Sequence, residues 1–65
     1  MKLAIGCDEA AYDLKQLLKQ HVEAAGHEVT DFGTFDGTPV LYPDIAFALA
    51  EHVAAGTSER GLLLD

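Results

Sequence analysis

Residues 2–25 read KLAIGCDEAAYDLKQLLKQHVEAA, and the change of period inside this stretch decides the fold. Residues 2–6 (KLAIG) are a short apolar run closed by glycine, the pattern of a buried strand. From Ala10 to Ala25 the period becomes helical. Leu14, Leu17, Leu18, Val22 and Ala25 recur at three- and four-residue steps, and Lys15, Lys19, Gln20 and Glu23 fall mostly on the other side. Asp8 is placed to cap this helix, and the negative charge of Glu9 in its first turn suits the helix dipole. Gly26 is suited to end it.

The pattern extends outward from there. Residues 27–32 (HEVTDF) read as a second strand, and residues 33–42 (GTFDGTPVLY) as a loop rich in turn signals. Pro43 fits the first turn of a second helix, in which Ile45, Leu49 and Val53 form a core stripe and Gly56 marks the stop. Residues 60–65 (RGLLLD) read as a third buried strand. There is no internal repeat and no linker. The order β-α-β-α-β predicts an α/β fold, half of a flavodoxin- or Rossmann-like three-layer parallel sheet with right-handed crossovers. In such sheets ligands bind beyond the carboxyl ends of the strands, where the strand order reverses. With strand order 2-1-3 that point lies between strands one and three. Asp8 and Glu9 follow strand one and Asp65 ends strand three, so three carboxylates are expected on one edge.

Composition narrows the function. The 65 residues carry 11 acids against 4 bases, a formal net charge of −7. Lys2, Lys15, Lys19 and Arg60 are scattered, so there is no cationic cluster to displace counterions from a nucleic acid or to meet an anionic membrane. No apolar stretch approaches the ~20 residues needed to span a bilayer. A single cysteine, Cys7, excludes an internal disulfide framework and fits a reducing compartment, and the start of the chain lacks a signal-peptide hydrophobic region. A cytoplasmic protein is expected. A chain this short buries only about 60% of the surface its unfolded form exposes. A sheet ending on the apolar strand Leu62–Leu64 leaves an open edge, so residues 1–65 are expected to be one domain unit, the N-terminal part of a larger domain.

With the start MKLAIGCDEAAYDLK, the segment HEVTDFGT, the Tyr42-Pro43-Asp44 loop end and the strand RGLLLD, the chain resembles the ribose-5-phosphate isomerase B and galactose-6-phosphate isomerase family. The resemblance runs through all 65 residues in register and covers about the first half of the family's domain. It implies aldose–ketose isomerisation of a phosphosugar through an enediolate, without cofactor or metal. It also implies self-association into dimers or tetramers whose sites draw on neighbouring subunits. By position, Asp8 matches the family aspartate that contacts sugar hydroxyls, and Tyr42 the tyrosine before proline that reaches the substrate. Two positions depart. Glu9 stands where the family usually has His, and is taken as a ligand contact. Asp65 stands where many members have the Cys that abstracts the proton, and is taken as the base, since enolisation needs a positioned base of raised pKa. The family's anion loop would begin after Asp65, and its later cationic residues lie beyond it as well.

The departures bear on the substrate. Five- and six-carbon aldose phosphates must be ring-opened before enolisation, and a carboxylic acid at position 9 is a poorer proton donor near neutral pH than His. A tetrose 4-phosphate cannot close a furanose ring, so a four-carbon, erythrulose-phosphate-type substrate is expected to be preferred over ribose 5-phosphate. Cys7 is read as a packed small residue, and His21, His27 and His52 show no metal-ligand spacing. The acid cluster has a second reading. Receiver-like signalling modules build a Mg²⁺ and phosphoacceptor site from an acid pair after strand one and an Asp ending strand three. The ten-residue loop at 33–42 and Asp31-Phe32-Gly33-Thr34 favour the isomerase.

Overall fold

The computed structural model describes residues 1–65. Strand β1 (Lys2–Cys7) is buried from Leu3 onward, which makes it the middle of the sheet. Strand β2 (Glu28–Asp31) pairs with it in parallel on one side, with Leu3 opposite Val29 and Ile5 opposite Asp31. Strand β3 (Arg60–Leu64) pairs in parallel on the other, with Ile5 opposite Leu62 and Cys7 opposite Leu64. The order is therefore 2-1-3, as expected of a flavodoxin-like half-sheet. Helix α1 (Tyr12–Ala24) packs on β1 and β2, and helix α2 (Tyr42–Ala54) on β1 and β3. Right-handed crossovers running outward in opposite directions from the central strand place the two helices on opposite faces of the sheet.

The Ile45, Leu49 and Val53 stripe seats α2 as expected. A Cβ on Gly6 would stand 2.8 Å from Ile45 Cγ2, and one on Gly61 would stand 2.6 Å from Leu49 Cδ2. Both strand glycines let the helix approach the sheet closely. Gly26 and Gly56 end the two helices at φ +93° and +80°, values that glycine adopts without the Cβ penalty.

Four details differ from the sequence reading. Strand β3, read as buried, is exposed from Arg60 to Leu63, because nothing in these residues covers its outer side. Helix α1 is preceded by a short 3₁₀ turn, Glu9–Ala11, and it is this turn that Asp8 caps. Helix α2 starts at Tyr42, with Leu41 as N-cap and Pro43 in its first turn, so Tyr42 belongs to the helix and not to the loop. The largest difference is the rotation of α1. Lys15 is fully buried, while Leu14 and Leu17 are 51% and 65% exposed. The helix turns its lysine inward because a carboxylate and a carbonyl await it there. No helix is long and apolar enough to cross a membrane.

Candidate functional site

The carboxyl ends of β1 and β3 finish side by side, and Asp8 N–H donates to the Leu64 carbonyl at 3.2 Å. One step past the last pair, Cys7 opposite Leu64, stand Asp8 and Asp65. Asp8 Oδ1 also accepts the Ala11 N–H at 3.1 Å, so the side chain serves as a cap as well as a member of the edge. Asp65 is exposed, and its carboxyl titrates above the ordinary 3.8. The cause is chiefly Asp8, through a hydrogen bond that needs a proton and through charge repulsion, with a smaller repulsion from Glu9. The topology thus brings Asp8, Glu9 and Asp65 to one edge.

Glu9 and Tyr42 are joined to this edge through the loop between β2 and α2. Glu9 Oε2 accepts the Val40 N–H at 3.4 Å, and Tyr42, half-buried, opens α2 two residues later. The Tyr42 hydroxyl makes no hydrogen bond within the chain. Near the loop's tip, Asp36 Oδ1 accepts from the Thr38 hydroxyl at 2.8 Å and the Thr38 N–H at 3.1 Å, a local turn in keeping with the turn signals of residues 33–42. A depression of about 240 Å³ lies under the loop, lined by Phe32, Thr34, Phe35, Thr38, Val40 and Ile45 among others.

The loop's base is fixed by a buried ion pair. Lys15 Nζ donates to Asp31 Oδ1 and Oδ2 at 2.9 and 2.8 Å and to the Thr34 carbonyl. Asp31 Oδ1 accepts the Gly33 N–H at 2.8 Å. Burial alone would raise the Asp31 carboxyl; the Lys15 ammonium and the Gly33 N–H outweigh it and hold the group below the ordinary 3.8. Backbone bonds complete the attachment. Cys7 N–H donates to the Gly33 carbonyl at 2.7 Å, and Thr34 N–H donates to the Cys7 carbonyl at 3.0 Å. Tyr12 adds its hydroxyl to the Phe35 carbonyl at 3.2 Å.

Lys15, Asp31 and Thr34 are absent from the sequence-derived site. One signal for them exists. Period-two alternation puts Asp31 on the same inward face as Val29, and an inward carboxylate requires a partner. Cys7 is fully buried, and burial raises its thiol, in keeping with a packing role. His52 stands edge-on to Phe32 at 5.0 Å between ring centroids and bonds Ser58 Oγ at 2.7 Å. No group of three or more His, Cys, Asp or Glu side chains is arranged to hold a metal ion.

Comparison with known proteins places these features in a family. Residues 3–65 match the family model described as Ribose/Galactose Isomerase. The ribose-5-P isomerase B of Listeria innocua is 47% identical over 64 residues, covering 98% of this chain and 43% of that protein. The D-erythrulose-4-phosphate isomerase of Pectobacterium atrosepticum is 39% identical over 66 residues, with 98% of this chain and 43% of that protein covered. The solved structure of Clostridium thermocellum ribose-5-phosphate isomerase B superposes with a TM-score of 0.92 at 40% identity, over 97% of this chain and 43% of the other. The chain thus spans less than half the length of the relatives it matches. A receiver-like module gains no support from these matches. The match over nearly every residue, the shared fold and the motifs in register lead to one conclusion: the chain belongs to the ribose/galactose isomerase family.

Proposed function

We propose that residues 1–65 form the N-terminal part of a phosphosugar aldose–ketose isomerase that works through an enediolate, with Asp65 as its base. The observation that carries the reading is the placement of Asp65 beside Asp8 at the carboxyl edge, where a hydrogen bond shared with Asp8 and charge repulsion raise its carboxyl above the ordinary 3.8. Asp65 takes the proton from the carbon next to the substrate carbonyl, and the C–H electron pair moves toward the carbonyl oxygen to give the enediolate. The same carboxylic acid, open to solvent, protonates the neighbouring carbon. The hydroxyl proton passes to the former carbonyl oxygen and the other oxygen becomes the carbonyl, so the reaction is redox-neutral and asks for no cofactor. Asp8 and Glu9 contact substrate hydroxyls, and Tyr42 reaches the substrate from the first turn of α2. Lys15 and Lys19 are engaged with Asp31, while Lys2 and Arg60 stand at the starts of β1 and β3, the end of the sheet away from the acid edge. The cations for the phosphate therefore come from outside these residues, from the rest of the protein or a neighbouring copy. Self-association and a cytoplasmic setting fit this reading.

A four-carbon phosphosugar is the proposed preferred substrate. Glu9 stands where the family usually has His, and here it holds the Val40 N–H as an acceptor. A substrate that cannot close a furanose ring makes no demand on that position for ring opening. The test is kcat/KM of the full-length protein on erythrulose 4-phosphate and on ribose 5-phosphate. The tetrulose is expected to be favoured. A ratio favouring ribose 5-phosphate would overturn the substrate choice, and turnover of neither, nor of any other phosphosugar, would overturn the isomerase reading.

A further inference from the structure

An ammonium with no exposed surface is an expensive thing to place on the inner face of a helix, because taking it out of water is repaid only by close partners. Apolar side chains at positions 15 and 31 would fill the same space without that cost. They would not hold the Thr34 carbonyl, and they would not accept the Gly33 N–H, both of which the Lys15–Asp31 pair does. Those two groups lie at the start of the loop that ends in Val40, tethered to Glu9, and runs on into Tyr42. The residue that the loop's base grips from the other side, Cys7, directly precedes Asp8. Loop and acid edge are thus built onto one anchor.

Resting on the isomerase reading above, we propose that Lys15 is a positioning residue. With Asp31 it clamps residues 32–41 onto the carboxyl end of β1 and so sets where Glu9 and Tyr42 meet the substrate. It touches no substrate itself. A misplacement of about 1 Å at the reacting groups costs on the order of 10²-fold in rate, so a clamp of this kind acts on turnover without taking part in the chemistry.

A buried pair offers a clean separation of stability from positioning. K15M alone strands Asp31 without its main partner and is expected to destabilise the protein. K15M/D31L, made in the full-length protein, replaces both charges with apolar groups of similar size, a change that often leaves stability intact. The double variant is expected to melt within a few degrees of the parent, yet to lose about tenfold or more in kcat/KM. Amide hydrogen exchange is expected to speed up across residues 33–40 while β1 and α1 stay protected. Parent-like kcat/KM in the double variant would overturn the proposal, as would unchanged exchange in the loop. A double variant that melts as low as K15M would assign the pair to stability alone and overturn it too. If the parent turns over no phosphosugar, the isomerase reading falls by itself, and the loop's exchange rate then decides the clamp.

Discussion

At the scale of single residues, two carboxyl groups are tuned in opposite directions. Asp8 and, more weakly, Glu9 raise Asp65, while Lys15 and the Gly33 N–H lower Asp31 against the pull of burial. Their effects on stability have opposite signs. Asp31, depressed in the fold, contributes stability that is complete above the ordinary 3.8 and is lost as pH falls through its lowered value. Asp65, raised in the fold, costs stability once pH has passed from the ordinary 3.8 through its raised value, because the ionised pair repels. The same repulsion gives a kinetic expectation. If Asp65 must ionise to act as base, kcat/KM rises with pH through its titration, and Asp8→Asn in the full-length enzyme moves that acid limb to lower pH. The midpoint of the pH profile checks this apart from any loss of rate; a limb that stays in place or moves upward would refute the coupling. Asp8 and Asp65 were legible in the sequence because each follows directly from a strand end. Lys15 was not, since helical periodicity sorts lysine to the outside and only a carboxylate 16 residues away brings it in.

At the scale of elements, the strand–helix order and the α2 stripe followed from period and punctuation alone, whereas the sheet order came from likening that alternation to flavodoxin-like folds. The start of α1 did not, because Asp8 caps a 3₁₀ turn through Ala11 N–H, and the helix proper begins only at Tyr12. The close seating of α2 also escaped the sequence, where Gly6 reads only as the end of a strand. In the fold it is the point over which Ile45 and Leu49 sit, with Ile45 Cγ2 only 2.8 Å from where a Cβ would be. Gly6→Ala in the full-length protein is therefore expected to overpack this contact at a cost of about 1–3 kcal/mol. Thermal melting checks it. An unchanged or higher Tm would show that α2 yields at no cost.

At the scale of the whole molecule, the hydrophobic core is thin. Ten of 65 residues are buried, while Leu14, Leu17, Leu41, Phe47, Leu62 and Leu63 remain exposed on the helices, loop and edge strand. The acid edge is assembled, but Lys15 and Lys19 are committed to Asp31, and Lys2 and Arg60 lie at the opposite end of the sheet. Residues 1–65 alone are therefore expected to show no isomerase turnover, because phosphate supplies the binding energy that positions the reacting carbon. Turnover by the purified chain, with host isomerases excluded, would refute this. The proton that Asp65 is proposed to move is followed most directly by running the full-length protein in deuterium oxide and locating deuterium in the product by mass spectrometry. The expected result is deuterium at the carbon that receives the proton, with exchange and turnover both falling by roughly 10² to 10⁴ in Asp65→Asn. Deuterium incorporation and turnover undiminished in Asp65→Asn would contradict the role given to Asp65.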